Sequence, residues 1–213
     1  MLPKEIEKKF TISYLPDEIE KITKIKQKHI YKDSVCSIRV RKSINLNNKK
    51  TIYTHTIKTR REDDGNFSIT ELEREIKKRE YDKLKPFEGS KVIEKDRCII
   101  PIEDGLCAEV DIYYGDLKGL IIAEVEFKNI KQAENFKMPN WFKKEVFHKD
   151  FSNRKISTLP REEILKMIGE KQLDINKRIL KFYQKKIKSM KWNNILKKQR
   201  TIIIYYNNFF ILE

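Results

Sequence analysis

Charged residues of one sign recur at every second position along much of this 213-residue chain. The carboxylates fall as Glu5/Glu7, Glu71/Glu73/Glu75, Glu109/Asp111 and Glu124/Glu126, and the cations as Arg39/Arg41 and Lys95/Arg97, with Lys9 and Lys58 in similar runs. Side chains two apart on an extended strand share a face, so each set shows one sign on one side. Clustered carboxylate oxygens suit a hard divalent cation such as Mg²⁺ or Mn²⁺. Clustered Arg and Lys suit phosphate groups, Arg as a bidentate fork and Lys as a point charge. A polyphosphate chelating a metal satisfies both sets. Hydrolysis of a phosphoanhydride requires that phosphoryl charge be neutralised and a water aligned, and a carboxylate-bound metal can orient or deprotonate that water.

The residues between these charges are apolar: Ile6, Ile38, Val40, Ile57, Leu72, Ile76, Val110, Ile112, Ala123, Val125 and Phe127. A charged exterior over an apolar core produces the same alternation, and for any single strand that reading is sufficient. Sorting by sign over seven strands argues for ligands, because like charges side by side on a solvated face are mildly unfavourable. Period-two runs broken by turn-prone clusters predict strands at 4–13, 24–32, 35–44, 51–60, 68–77, 93–102, 106–114 and 120–128. Eight strands are enough to close a barrel and remove its edges. Short helices are expected at 78–86 and 131–137. The fold class is therefore mainly β (α+β), a closed eight-stranded antiparallel β-barrel with peripheral helices.

From residue 161 the pattern changes. Ile164, Leu165 and Ile168, then Ile175, Ile179, Leu180, Tyr183 and Ile187, recur at helical steps. Two units follow, 1–160 and a helical basic extension, 161–213. Lys171 to Arg200 holds 11 basic residues and one acid, Asp174. The extension either docks on the barrel or touches anionic lipid or nucleic acid. Its last 13 residues look β-prone.

The net charge of +15 favours an anionic partner without choosing one. Cys36, Cys98 and Cys107 form no CxxC or CxxH pattern, which fits a reducing compartment. No basic leader precedes an apolar stretch and no run approaches the ~18 apolar residues of a span, so a cytoplasmic location is expected. Six glycines lie in no phosphate-loop or dinucleotide motif. His29, His55 and His148 lack metal-ligand spacing and read as structural or surface residues, and Trp141 and Trp192 as packing residues.

Glu5-Ile6-Glu7-Lys8-Lys9 matches the ExExK signature of the triphosphate tunnel metalloenzymes, the CYTH superfamily. Much of residues 1–159 resembles its compact bacterial members, the inorganic tripolyphosphatases. The likeness runs through Arg39-Val40-Arg41-Lys42, Thr56-Ile57-Lys58, the run from Glu71 to Glu75, Lys95-Asp96-Arg97, Glu109-Val110-Asp111 and the run from Gly119 to Phe127. Pro139 to Val146 and Ser152-Asn153 look like later family segments. The resemblance implies a tunnel with a polar lumen, in which Lys9, Arg39, Arg41, Lys58, Lys95 and Arg97 hold a triphosphate and Lys144 reaches the mouth. It implies Glu5, Glu7, Asp111, Glu124 and Glu126 as ligands of Mg²⁺ or Mn²⁺, with Glu126, Glu124, Asp111 and Lys95 catalytic and Glu73 and Glu75 second in rank. Inorganic tripolyphosphate is the implied substrate, with no nucleic acid required. A nucleoside or thiamine triphosphatase, a class IV type adenylyl cyclase, or a non-catalytic polyphosphate or nucleic-acid binding module are the alternatives. Three segments depart from the family. Gln27-Lys28-His29-Ile30 lacks the usual Gly and Tyr, so no site residue is carried over from that strand; Lys143 or Lys144 replaces an expected Gly; and Phe147 replaces a Thr.

Overall fold

The structure is a computed structural model that describes the backbone of residues 6–63, 66–147 and 149–209, and the side chains of 6–59, 70–147 and 149–190. All eight expected strands form: β1 (Ile6–Ile12), β2 (Lys21–Lys32), β3 (Cys36–Asn45), β4 (Thr51–Asp63), β5 (Asn66–Glu75), β6 (Ile93–Pro101), β7 (Cys107–Tyr113) and β8 (Ile121–Phe127). The two short helices are α1 (Lys78–Lys83) and α2 (Ile130–Asn135). A ninth strand, β9 (Phe142–Val146), is followed by α3 (Asn153–Ile156), α4 (Arg161–Ile168) and the 40-residue α5 (Glu170–Phe209).

The strands form one antiparallel sheet in the order β5-β4-β3-β2-β6-β7-β8-β1-β9, and hydrogen bonds do not close it. The expected closed eight-stranded barrel is therefore corrected to an open nine-stranded sheet. A strand has two edges, and those of β1 are occupied by β8 and, through Lys9↔Val146, Phe10↔Glu145 and Thr11↔Lys144, by β9. Along Lys9–Ile12 no edge of β1 is left for β5. The β-prone reading of the last 13 residues is corrected as well: residues 201–209 continue α5, each added residue gaining a helical hydrogen bond, and residues 210–213 lie outside the described chain.

The register places the apolar parity on one face, where Phe10, Ile12, Ile22, Cys98, Ile100, Val110, Ala123 and Val125 are buried. Trp141, Phe142 and, from α5, Ile179 and Tyr183 belong to the same cluster, with Ile175 and Ile187 packed against it. The described part of the extension, through Met190, thus completes the core of the sheet. Gln172 Nε2 donates to the Ile12 carbonyl and Asn176 Nδ2 to that of Gly119, both at 2.8 Å, which fixes the start of α5. Gly119 has φ of +104°, a left-handed value that a side chain rarely adopts. The outward side of α5 exposes Lys177, Arg178, Lys181, Lys185 and Lys188. No helix among the described residues is long and apolar enough to cross a membrane.

Candidate active site

The other face of the sheet carries the alternating charges. Pairing runs Lys9↔Glu124 from β1 to β8, Glu109↔Glu124 from β7 to β8 and Arg97↔Asp111 from β6 to β7. It continues Thr23↔Arg97, Gln27↔Arg41, Arg39↔Thr56 and Thr56↔Glu73 through β2 to β5. Cross-strand neighbours share a face, so Glu7, Lys9, Arg39, Arg41, Lys58, Lys95, Arg97, Asp111, Glu124 and Glu126 stand on one polar surface. Lys144, opposite Thr11, joins it as an exposed residue on β9. One end of this surface is stoppered by Ile93, Tyr113 and Ile122 packed against Phe151 from the turn before α3, Ile156 of α3 and Ile164 of α4. Glu5 lies outside the described residues.

Sign sorting within strands becomes pairing between them. Lys9 Nζ is 2.8 Å from Glu124 and 3.3 Å from Glu7. Arg97 grips Asp111 with a fork at 2.7 and 2.8 Å, contacts Glu109 and lies 3.5 Å from Glu124. Lys95 contacts Asp111, and its Nζ is 3.5 Å from Oδ1 of Asn153, which also accepts the Tyr113 hydroxyl. Lys58 and Arg39 both hold Glu71, at 2.6 and 3.0 Å, and Thr56 donates to Glu73 at 2.6 Å. Glu75 is exposed, opposite Thr54. Opposite-sign neighbours therefore account for much of the sorting that pointed to ligands.

What pairing leaves over is more informative. Among the described residues Arg41 makes no ion pair; its Nε and Nη2 donate to Gln27 Oε1 at 3.3 and 3.2 Å. The Arg39 Nε and the Thr54 hydroxyl are buried without a hydrogen-bond partner in the protein. Arg41 and Thr54 are direct cross-strand partners. Buried polar atoms are almost always satisfied, so this cluster of donors fits an anion.

A second group lies across the sheet, where carboxylate oxygens of Glu7, Glu124 and Glu126 come within 4.8 Å of one another. Burial and Glu124 push the Glu7 carboxyl up to about 8. Against the opposing effect of burial, its hydrogen bond with Glu7 and the charges of Lys9 and Arg97 hold Glu124 well below the usual carboxylate range. The two carboxyls are hydrogen-bonded to each other and shifted in opposite directions. Three hard oxygen donors crowded this closely suit a small divalent cation, so these residues fit one. Asp111 is not in this trio, because Arg97 and Lys95 engage both of its oxygens.

Burial and the neighbouring Arg97 push the Lys95 ammonium down to about 7 despite Asp111, whereas Arg97 and Lys95 outweigh burial to hold Asp111 low. Burial, with Arg39 and Arg97, lowers Arg41 to about 10, still a cation at neutral pH. A cavity of about 440 Å³ opens on the opposite side of the sheet, beside Lys24, Lys42, Glu94 and Tyr114. Its Lys26 is paired with Glu94 at 2.7 Å and the Tyr114 hydroxyl with Asp96 at 3.0 Å.

Two polar residues on the site face escaped sequence reasoning. Gln27 and His29 are 0% and 4% exposed. Their signal is parity: two polar side chains in mid-strand, placed by alternation among the paired arginines.

The arrangement has known relatives. No family model matches the chain. An inorganic triphosphatase of Nitrosomonas europaea is 31% identical over 142 residues, 67% of this chain and 88% of that protein. The crystal structure of the inorganic triphosphatase NE1496 superposes with a TM-score of 0.55 at 29% identity, covering 74% of this chain and 97% of that one. The chain belongs to the triphosphate tunnel metalloenzyme family, the CYTH superfamily.

Proposed function

We propose that the protein hydrolyses a triphosphate, inorganic tripolyphosphate in the first place, to diphosphate and phosphate with the help of Mg²⁺ or Mn²⁺. The observation that carries this reading is the unpaired Arg41, with the unsatisfied Arg39 Nε and Thr54 hydroxyl beside it. The similarity to an inorganic triphosphatase supports the choice of substrate.

Arg39, Arg41 and Lys58 grip the polyphosphate from β3 and β4, and Lys9, Lys95 and Arg97 meet it from β1 and β6. Phosphoryl transfer depends chiefly on positioning and charge neutralisation, and groups fixed on strands need little rearrangement as charge develops. Glu7, Glu124 and Glu126 would hold the cation, which lowers the pKa of bound water and screens phosphoryl charge. Glu124 and Glu126 also orient the attacking water. Asp111 serves by fixing Lys95 and Arg97, and Lys144 meets the substrate at the rim. As water adds to the terminal phosphorus, the P–O bond to the bridging oxygen breaks, diphosphate leaves and the water proton is released.

Phosphate release from tripolyphosphate, nucleoside triphosphates and thiamine triphosphate, with and without Mg²⁺ or Mn²⁺, tests the proposal. Tripolyphosphate should be turned over fastest and only with metal. No release from any of them would remove the reading.

A further inference from the structure

Five cations on the polar face are tied to carboxylates: Lys9 to Glu124, Arg39 and Lys58 to Glu71, and Lys95 and Arg97 to Asp111. Arg41 differs, since its two hydrogen bonds end on a neutral amide oxygen. That amide belongs to Gln27, its direct cross-strand partner, whose side chain is wholly buried.

The orientation of the amide follows from hydrogen-bond chemistry. A guanidinium only donates, so the Gln27 oxygen must face Arg41. Its NH₂ then faces His29 Nε2, 3.0 Å away, and donates to it. The ring nitrogen that accepts must carry no proton, so His29 is the neutral tautomer protonated on Nδ1. Burial, aided by the charges of Arg39 and Arg154, favours that neutral form and brings His29 down to about 4. A flipped amide could still accept from an Nε2–H tautomer of His29, but it would set NH₂ against guanidinium, two donors with no acceptor between them. Only one arrangement satisfies all three groups.

We propose that Gln27 is a positioning residue for the triphosphate site: clamped by His29, its carboxamide fixes the Arg41 guanidinium with a neutral acceptor and so leaves that cation's charge for the substrate. The inference rests on the triphosphate reading above. Glu has the same size and would hold the guanidinium at least as firmly, but it would neutralise the charge that a polyanion needs. Met keeps the bulk and removes the acceptor.

The test compares full-length wild type with Gln27→Glu and Gln27→Met. Steady-state hydrolysis of tripolyphosphate is measured with Mg²⁺, calorimetric binding uses an imido-bridged analogue, and thermal melting checks folding. Gln27→Glu should raise KM and Kd at least ~10-fold with kcat within about threefold, the signature of a contact felt equally before and during reaction. Gln27→Met should raise KM several-fold. In an Arg41→Ala background Gln27→Met should add nothing, because the two residues act as one unit. If Gln27→Glu fails to fold, Gln27→Met and the Arg41→Ala cycle decide. Folded variants with wild-type KM and Kd, or effects of Gln27→Met that persist without Arg41, overturn the inference while the triphosphate reading stands. Wild type that neither binds nor hydrolyses a triphosphate overturns both.

Discussion

Tyr183 on α5 donates its hydroxyl to Oδ2 of Asp96 on β6 at 2.9 Å, joining residues 87 apart in the chain. Tyr114 donates to the same oxygen at 3.0 Å. Asp96 lies between Lys95 and Arg97 in sequence, so its side chain points away from the polar face while theirs point into it. The helix therefore braces, from behind, the strand that carries two of the site's cations. Tyr183→Phe should lower stability by about 1–2 kcal/mol in chemical denaturation, the scale of one buried hydrogen bond, and leave KM unchanged. Truncation at residue 160 should do far more, because it uncovers the apolar face that Ile179 and Tyr183 seal, and the shortened chain is expected to be insoluble.

Arg41→Ala removes a β3 cation of the face that has no carboxylate partner among the described residues. A loss confined to substrate grip is expected, with KM for tripolyphosphate rising at least ~10-fold and kcat little changed. An unchanged KM would show that the substrate does not reach β3.

Glu126 is the most exposed of the three gathered carboxylates. Glu126→Gln should leave the fold and triphosphate binding intact while lowering kcat at least ~100-fold, the scale of one well-placed electrostatic contributor. Excess chelator should abolish turnover by the wild type and Mg²⁺ or Mn²⁺ should restore it. Near-normal kcat in Glu126→Gln would move the cation to other ligands.

His29 gives folding a pH dependence of definite sign. Its pKa falls from the ordinary 6.5 to about 4 in the folded protein, so between those values the unfolded chain binds more protons. This contribution is present in full above about pH 6.5 and is lost as the pH falls toward 4, amounting to about 3 kcal/mol. Denaturation at pH 7 and pH 4.5 should show a steeper loss for wild type than for His29→Asn, since carboxylate protonation is common to both. Equal losses would mean that His29 titrates normally.

Alternation was a reliable guide here because the two faces of β1, β6, β7 and β8 are committed, one to a core and one to charge. It located all eight expected strands and the shared face of Glu7, Lys9, Arg97, Asp111 and Glu124. It could not show that Glu71 holds Arg39 and Lys58, because pairing between strands depends on topology and register. β9 escaped for a related reason: Phe142-Lys143-Lys144-Glu145-Val146 is too short and too charged to look like a strand until β1 offers it an edge. Closure failed as an inference because a strand count does not say which edges are already taken.

The open end of the sheet has a bearing on how the molecule breathes. β5 is bonded only to β4, and the β4–β5 hairpin reaches the rest of the sheet only through β3. Such peripheral units open at far lower free energy than central strands, so amides of β4 and β5 should exchange with deuterium well before those of β6, β7 and β8. Lys58, Glu71, Thr56 and Glu73 ride on this hairpin. A polyanion bridging Lys58 to Arg97 would span the least and the most protected parts of the sheet. Slower exchange across β4 and β5 would then report the bound substrate as a clasp that couples two otherwise independent cooperative units.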